Sequence, residues 1–289
     1  NDDLSQLVQS FASKVSLVNG KPEAHIMVDS KDILSQVTKD LASYDRVAFD
    51  AEGVDLGRNG PLTIACFQGF DSSNKSKFSP IYVVDVQVLG GDVAFPKSSE
   101  EVTLRSVLED PSITKVTFDC RADSDALFHQ FKGVKLTGTI DLQVFDQAIR
   151  IHKGESPPKR DGNWKPYVQN MERVSNRYSI GVSMDKANAP HRNNFNVWKQ
   201  RPLSDKSIEY AAKDIEVIRK LWYAMDKFNV SELLMEKTME YSARYERIFR
   251  DATREITFNR NKTMVMEEVA IIQKSELPDD HPSRRRSYY

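Results

Sequence analysis

The stretch RVAFDAE, residues 46–52, decides the fold because it combines the pattern of a buried strand with two carboxylates. Apolar residues at positions 47, 49 and 51 alternate with Asp50 and Glu52, and side chains two residues apart leave the same face of a strand. We therefore expect both carboxylates on one face, about 7 Å apart at the rise of a strand. Like charges repel, so the pattern predicts either a strand end that emerges into solvent or a divalent cation held by the two acids.

Further short runs of β-branched and aromatic residues lie on both sides of this stretch, namely HIMV, LTIACFQG, IYVVDV and KVTFD. Turn residues or helical stretches such as 31–43 and 99–109 separate them. From residue 122 onward the chain is mainly helical, apart from a polar loop at 152–166 that is rich in proline, glycine and charge. This mixture predicts an α/β fold with a largely buried sheet.

The pattern divides the chain into successive segments. Apolar residues at helical spacing predict a flanking helix within residues 1–24, and the strands and helices of residues 25–228 form the predicted central domain. Apolar side chains three or four residues apart over 231–258 predict a helix that packs one face on that domain, within a helical extension at 229–270. The polar residues 271–289 have the composition of a disordered tail.

Charge and cysteine usage limit the classes of partner and compartment. The 289 residues contain 41 Lys and Arg against 42 Asp and Glu, a net charge of −1, so any nucleic-acid partner must be held by a local patch or through metal ions. Cys66 and Cys120 lie far apart in apolar runs, which favours buried free thiols in a reducing compartment over a disulfide. No apolar run approaches the roughly 20 residues that cross a bilayer, so we expect no membrane partner and an intracellular location, cytoplasmic or nuclear.

The segment KVTFDCRADSDALFHQF, residues 115–131, has the pattern of a buried strand followed by a helix. Three acids, Asp119, Asp123 and Asp125, crowd the junction. Acids at the start of a helix usually cap free backbone N–H groups, and that is the ordinary interpretation of any single one of them. Three acids at the carboxyl end of a strand, where α/β sheets place their sites, favour a functional role.

The segment LSDKSIEYAAKDIEVIRKLW, residues 203–222, predicts a long helix that begins after a Ser204 cap. Tyr210 and Asp214 are one turn apart and therefore share a face of this helix. Such a pair is most often a contact near the rim of a core, so this segment alone is a weak signal.

In order and spacing, the three acidic segments resemble the three exonuclease motifs of the DEDDy family, which includes ribonuclease D and the exonuclease domain of the Werner helicase. NVWKQRPLSDKSIEYAAKD (196–214) is similar to the family's Trp, Arg-Pro-Leu and Tyr-Ala-x-x-Asp block, and IDLQVFDQA (140–148) is similar to its Asp-Thr-Gln element. DAEGVDL and FDCRADSDALFHQF are especially similar to the Egalitarian-like branch. The resemblance covers roughly residues 25–225 and implies a ribonuclease-H-like mixed β-sheet flanked by helices, here with extra N- and C-terminal helices.

The resemblance also implies a site with two divalent ions, Mg²⁺ or Mn²⁺, whose metal-binding acids are Asp50, Glu52, Asp123 and Asp214. It places Tyr210 beside the attacking water. Asp123 is assigned rather than Asp119 or Asp125 because it precedes an apolar pair as the family's second acid does, and the other two stay capping candidates. The sister type has a histidine five residues before the last aspartate, and it is excluded because position 209 is glutamate.

The implied function is 3′-5′ exonuclease activity on single-stranded nucleic acid with a free 3′ hydroxyl, releasing nucleoside 5′-monophosphates. RNA is slightly favoured over DNA as the substrate. The alternative is a nucleic-acid-binding adaptor that keeps the fold without the reaction, as part of a larger RNA-silencing or repair complex. A protein partner at segment 231–258 is compatible with either function.

Basic and aromatic residues near the third segment have two interpretations. Four cations are candidates for phosphate contacts or for ordinary surface charges, namely Lys199, Arg201, Lys206 and Lys213. Trp198 is predicted to pack in the core rather than to stack on a base. The sequence carries no Gly-x-x-x-x-Gly-Lys loop, paired Cys-x-x-Cys or His-Glu-x-x-His motif, which excludes nucleotide-triphosphate motors and zinc hydrolases.

Overall fold

The computed structural model describes residues 17–18, 21–22, 25–97, 100–153, 168–182, 189–190 and 195–252. Its strands are β1 (Leu17–Val18), β2 (Lys21–Pro22), β3 (His25–Val28), β4 (Arg46–Gly53), β5 (Leu62–Phe70), β6 (Ile81–Asp85), β7 (Thr114–Thr117) and β8 (Thr139–Asp141). Its α-helices are α1 (Lys31–Leu41), α2 (Val86–Leu89), α3 (Gly91–Ala94), α4 (Leu104–Glu109), α5 (Arg121–Gln130), α6 (Leu142–His152), α7 (Met171–Tyr178), α8 (Asp205–Asp226) and α9 (Glu232–Arg250). A 3₁₀ helix spans Phe195–Lys199.

The main sheet has the strand order β3-β6-β5-β4-β7-β8 within the described residues. β5 runs antiparallel to both of its neighbours, β4 and β6, whereas the other neighbouring strands are parallel. Helices cover both faces of this sheet. The predicted α/β architecture with a mixed β-sheet flanked by helices is therefore confirmed.

Alternate residues of β4 face two different cores, as the sequence predicts. Ala48 belongs to the core that contains Ile215 and Trp222 of α8, whereas Val47 and Phe49 belong to the core beneath α1, α4 and α5. Asp50 and Glu52 lie two and four residues further along β4 and leave the same face of the strand as Ala48.

Helix boundaries follow local capping. The helix predicted over 99–109 begins only at Leu104, because the Thr103 side chain accepts a hydrogen bond from the backbone N–H of Ser106 and so caps it there. α8 begins as predicted, with the Ser204 hydroxyl accepting from the N–H of Ser207 at 3.2 Å.

The C-terminal helix α9 is part of the folded core. Its Leu234, Tyr241 and Tyr245 pack against Val144 and Ala148 of α6. The helix predicted over 231–258 is observed as Glu232–Arg250, and residues 253–258 lie outside the described part. The extra C-terminal helix is thus present and covers the edge of the sheet at β8.

The structure describes only part of the regions that flank the central domain. Leu17–Val18 and Lys21–Pro22 form an antiparallel pair, which follows the stretch predicted as a flanking helix within 1–24. The helical pattern before residue 17, the tail 271–289 and most of the polar loop 152–166 lie outside the described residues.

Cys66 and Cys120 are free and buried, as predicted. None of the described helices is long and apolar enough to cross a membrane.

Candidate active site

The candidate site lies where β4 loses one of its two neighbouring strands. β7 pairs with β4 only as far as Ala48, and the chain then turns into α5. On the other side β5 stays paired with β4, with Cys66 directly opposite Asp50. Asp50 and Glu52 therefore lie on the part of β4 that extends past β7, and the ends of strands are where α/β sheets build their sites.

Helix α8 brings a third carboxylate, that of Asp214, to this end of β4. One carboxylate oxygen each of Asp50, Glu52 and Asp214 lie within 4.8 Å of one another. Asp50 and Glu52 are half-buried, and Asp214 is buried. Three carboxylates this close suit a bound divalent cation.

Tyr210 lies one turn before Asp214 on α8 and reaches the same cluster. Its hydroxyl donates a hydrogen bond to the Asp214 carboxylate, and its ring packs on Trp198 with ring centroids 6.3 Å apart. Burial raises the pKa of the Tyr210 phenol, and the charges of Asp214, Glu52 and Asp50 raise it further. Tyr210 therefore lies beside the acids as a hydrogen-bond donor.

Asp123 occupies a separate position at the edge of the cluster. It lies in the first turn of α5, is 5% exposed, and accepts a hydrogen bond from the backbone N–H of Ala51. That N–H stands between Asp50 and Glu52 in the chain, beyond the last residue paired with β7. Among the described residues, Asp123 is not part of the close group of three carboxylates. Because Asp123 is carried by α5, the position of that helix sets its distance from the group.

Burial raises the pKa of the Asp123 carboxyl well above its usual range, and the charges of Asp119 and Asp141 act in the same direction. A bound cation would have the opposite effect, because it stabilises the charged form. A cation bound here would therefore favour the ionised form of this buried acid.

The other two acids of the second segment pair with arginines and do not cap α5. Arg121 binds Asp119 through two hydrogen bonds of 2.5 and 2.8 Å, and Arg58 binds Asp125 at 2.9 Å. The N-cap residue of α5 is Cys120, without a side-chain cap. The capping interpretation is thus wrong for both acids, because each pairs with an arginine, Asp119 with the nearby Arg121 and Asp125 with Arg58, which lies 67 residues away in the chain.

The Cys66 thiol lies beneath the cluster and is 1% exposed. Burial raises the pKa of this thiol well above its usual range, and the charges of Asp50, Glu52 and Asp214 add to the effect. The thiol therefore stays neutral and forms part of the floor of the site. A cation bound to the three carboxylates would offset their negative charge and so weaken their effect on the pKa of the thiol.

Arg201 is a structural residue rather than a phosphate contact. Its guanidinium forms an ion pair with Asp85 at the end of β6, at 2.5 Å, and donates to the carbonyl of Trp198 at 3.0 Å. Trp198 is buried in the core, as predicted. The other three candidate cations, Lys199, Lys206 and Lys213, are exposed or half-buried. The sequence analysis did not identify Asp85 as the partner of Arg201, because the two residues are 116 positions apart in the chain.

Comparison with known proteins relates the chain to nucleases and to proteins of RNA metabolism. A family model described as 3′-5′ exonuclease matches residues 25–228. The chain is 29% identical over 125 residues to the piRNA biogenesis protein EXD1 of Bombyx mori, covering 43% of this chain and 35% of that protein. It is 28% identical over 163 residues to the EXD1 protein of Mus musculus, covering 56% and 26%. The chain thus spans about a quarter to a third of the length of these curated relatives.

Among solved structures, the RNase D of Trypanosoma brucei in complex with RNA U12 aligns with a TM-score of 0.64 and 22% identity. The alignment covers 92% of this chain and 82% of the RNase D chain. At this identity the likeness shows the fold, and it confirms the predicted ribonuclease-H-like architecture.

Proposed function

The chain belongs to the DEDDy-type 3′-5′ exonuclease family, and on that premise we propose that it hydrolyses nucleic acid one nucleotide at a time from a free 3′ hydroxyl. The observation that carries this proposal is the group formed by Asp50, Glu52 and Asp214, whose oxygens lie within 4.8 Å of one another. Tyr210 supports it, because its hydroxyl is hydrogen-bonded to Asp214 within the same group.

The donor set fits divalent oxygen-seeking ions such as Mg²⁺ and Mn²⁺. Asp50, Glu52 and Asp214 would hold one ion, and the second would be held chiefly by Asp50, with Asp123 reaching it through water. Such ions, when bound, neutralise the phosphate, make a water molecule more acidic and stabilise the leaving 3′ oxygen. Carboxylates are the ligands that these ions prefer, and the described group offers no nitrogen or sulfur ligand that would favour zinc.

Tyr210 would orient the attacking water. A phenol that stays protonated holds a water through its hydroxyl without acting as a base, and its one-turn offset from Asp214 aims it at the acids. The Trp198 ring behind it restricts where the phenol can lie. The product of the reaction would be a nucleoside 5′-monophosphate.

RNA is the favoured substrate. The relatives from Bombyx mori and Mus musculus carry the name piRNA biogenesis protein, and the Trypanosoma brucei RNase D structure contains RNA. The two buried free thiols suit a reducing compartment, so we assign the enzyme to the cytoplasm or nucleus.

The test is digestion of 5′-labelled single-stranded RNA and DNA of the same sequence by the full chain. We expect shortening from the 3′ end with Mg²⁺ or Mn²⁺, binding with little turnover in Ca²⁺, and no reaction in excess EDTA. A circular RNA of the same sequence should resist, because it has no 3′ end. Undiminished activity in EDTA, or cutting of the circle, would contradict the proposal.

The adaptor function is the alternative outcome of the same experiment. It predicts that RNA is bound in Mn²⁺ without being shortened. We favour the enzyme because the acids Asp50, Glu52, Asp123 and Asp214 and the tyrosine Tyr210 are all present.

A protein partner at the C-terminal segment would have to use the outer face of α9. The inner face is buried, whereas Leu233 and Met239 are exposed. Removing the helix would uncover the core, so the suitable test is a pull-down that compares the full chain with a Leu233→Glu, Met239→Glu variant. Loss of a partner only in that variant would support the interaction, and equal recovery would contradict it.

A further inference from the structure

Helix α9 lies beyond the segment that matches the family model, yet it contacts α5, which carries the second acidic motif, and the loop that follows the first. We propose that Arg58 is a positioning residue, which joins the loop after Glu52, the helix of Asp123 and the end of α9 and so fixes Asp123 relative to Glu52. This inference rests on the proposed function and assigns to it a residue that no acidic motif contains.

The first part of the junction connects the loop after β4 to helix α5. The backbone N–H of Arg58 donates to the Asp125 carboxylate at 2.6 Å, and its guanidinium donates to the same carboxylate at 2.9 and 3.2 Å. Asp125 is two residues after Asp123, and Arg58 is six residues after Glu52. One residue therefore ties the first acidic motif to the second by charge-assisted hydrogen bonds, which are the strong kind.

The second part connects the same guanidinium to α9. Arg58 donates to the carbonyl of Ala252 at 2.9 Å and to the carbonyl of Phe249. The carbonyl end of a helix carries partial negative charge, so a cation is stabilised there. A second link runs alongside, since Nε2 of His129 on α5 lies 2.9 Å from the carbonyl of Arg250.

The loop itself has little freedom to absorb a shift. Gln130, at the other end of α5, donates to the carbonyls of Gly57 and Gly60 and accepts from the N–H of Leu62. A Cβ at Gly53 would lie 2.1 Å from the carbonyl oxygen of Pro61, so the two ends of the loop touch. The loop and α5 are therefore joined to each other, and Arg58 joins both of them to the end of α9.

Arg121 adds a second contact between α9 and the second acidic motif. Its buried guanidinium lies 4.5 Å from the ring centroid of Tyr245 and 5.2 Å from that of Phe249. It also neutralises Asp119, whose charge acts on Asp123. Phe249 thus meets both arginines, Arg121 with its ring and Arg58 with its carbonyl.

This arrangement matters because Asp123 is carried by α5, which Arg58 joins to the loop after β4 and to α9. Asp50 and Glu52 lie on β4, which β5 holds by pairing, and Asp214 lies on α8. Catalytic groups must be held within about 0.5 Å of the productive geometry. Loss of the junction should therefore disturb the ion that Asp123 shares and leave the ion of the other three acids in place.

The test compares Arg58→Gln with a matched control, Arg105→Gln. Arg105 also donates to two main-chain carbonyls, those of Phe131 and Lys132 after α5, but it contacts neither Asp125 nor α9. Mn²⁺ binding is measured by electron paramagnetic resonance in the presence of AMP, and single-turnover cleavage of RNA is measured well below the Tm of each variant. Both variants are expected to lower the Tm.

We expect the wild type and Arg105→Gln to bind two ions, and Arg58→Gln to keep the tighter ion while its affinity for the second falls roughly 10- to 100-fold, with a similar fall in kcat. Arg58→Lys, which keeps the charge without the fork, should give an intermediate affinity. Asp125→Asn should reproduce the loss, and the double variant should be no worse than either single one.

Wild-type affinity for both ions in folded Arg58→Gln, an equal loss in Arg105→Gln, or a wild type that binds only one ion would overturn the inference. Should Arg58→Gln not fold, Arg58→Lys and Asp125→Asn decide the matter by the same measurements. A wild type that binds both ions but leaves RNA intact would contradict the proposed function alone.

Discussion

Asp50 is a half-buried carboxylate that shares a small space with Glu52 and Asp214. Without a cation, like charges in such a space repel and lower the stability of the fold. We predict that Asp50→Asn reduces cleavage by at least roughly a thousandfold, because it removes a ligand common to both ions. The metal-free variant should be more stable than the wild type by on the order of 1 kcal/mol, a Tm higher by about 2–4 °C.

Single-turnover digestion and thermal unfolding in EDTA measure these two effects on the same preparation. Near-normal activity would remove Asp50 from the site. A lower Tm without metal would show that the carboxylate is held by hydrogen bonds rather than strained by its neighbours.

Tyr210 separates a site with a positioned water from one in which the acids act alone. Its phenol is hydrogen-bonded to Asp214 and stays protonated, so Tyr210→Phe removes one hydroxyl from a packed ring and changes little else. We predict a fall in kcat of roughly 10- to 1,000-fold with nearly unchanged Mn²⁺ affinity and RNA binding.

The measurement is single-turnover cleavage of a 3′-ended RNA, with RNA binding measured in Ca²⁺. A wild-type rate in the Phe variant would mean that the ring only packs on Trp198. A large change in Mn²⁺ affinity would instead mean that the hydroxyl acts through Asp214.

At the scale of single elements, α9 carries a buried acid that makes stability depend on pH. Glu246 is 4% exposed, and burial raises the pKa of its carboxyl to about 7. Its Oε1 has no hydrogen-bond partner among the described residues, which suits a neutral carboxyl. Lys115, whose pKa burial lowers to about 8, lies near enough for its charge to act on Glu246.

The folded protein holds the Glu246 proton more tightly than the unfolded chain, whose carboxyl has its usual pKa of 4.5. The stability from this group is therefore fully present below about pH 4.5 and is lost as the pH rises through 7. Glu246→Gln keeps the shape and removes the titration. We predict that the wild type loses up to about 3 kcal/mol more than the variant between pH 5 and pH 8.

Urea unfolding of both proteins at several pH values, in EDTA, measures this difference. Groups that titrate equally in the two proteins cancel in the comparison. Parallel curves for the wild type and Glu246→Gln would show that Glu246 is ionised in the folded protein across this range.

For the whole molecule, the near balance of charge predicts how it handles a long substrate. With 41 basic against 42 acidic residues, little long-range attraction holds RNA between successive cuts. We predict distributive digestion, with products of every intermediate length and a reaction that stops when a heparin trap is added. Complete shortening of bound RNA in the presence of the trap would contradict this, and would point to a local binding path that the net charge does not express.

The sequence by itself determined the fold class and the three acidic segments. Alternation along β4 put Asp50 and Glu52 on one face, and the one-turn spacing in α8 put Tyr210 and Asp214 on another. These are local periodicities, set by the geometry of one strand and one helix, so they can be read from neighbouring residues. The order of the segments matched the family motifs and so indicated that they form one site. The structure brings these four residues together.

Tertiary structure alone decided the long-range pairs of charged residues. Arg58 meets Asp125 across 67 residues and the carbonyl of Ala252 across 194, and Arg201 meets Asp85 across 116. Nothing in the local pattern marks these partners, because each pair joins elements that are far apart in the chain, unlike the one-turn pair Arg150–Asp146 within α6. For the same physical reason, the place of Asp123 beside Ala51 follows from the packing of α5 against the end of β4 and was beyond the reach of the sequence.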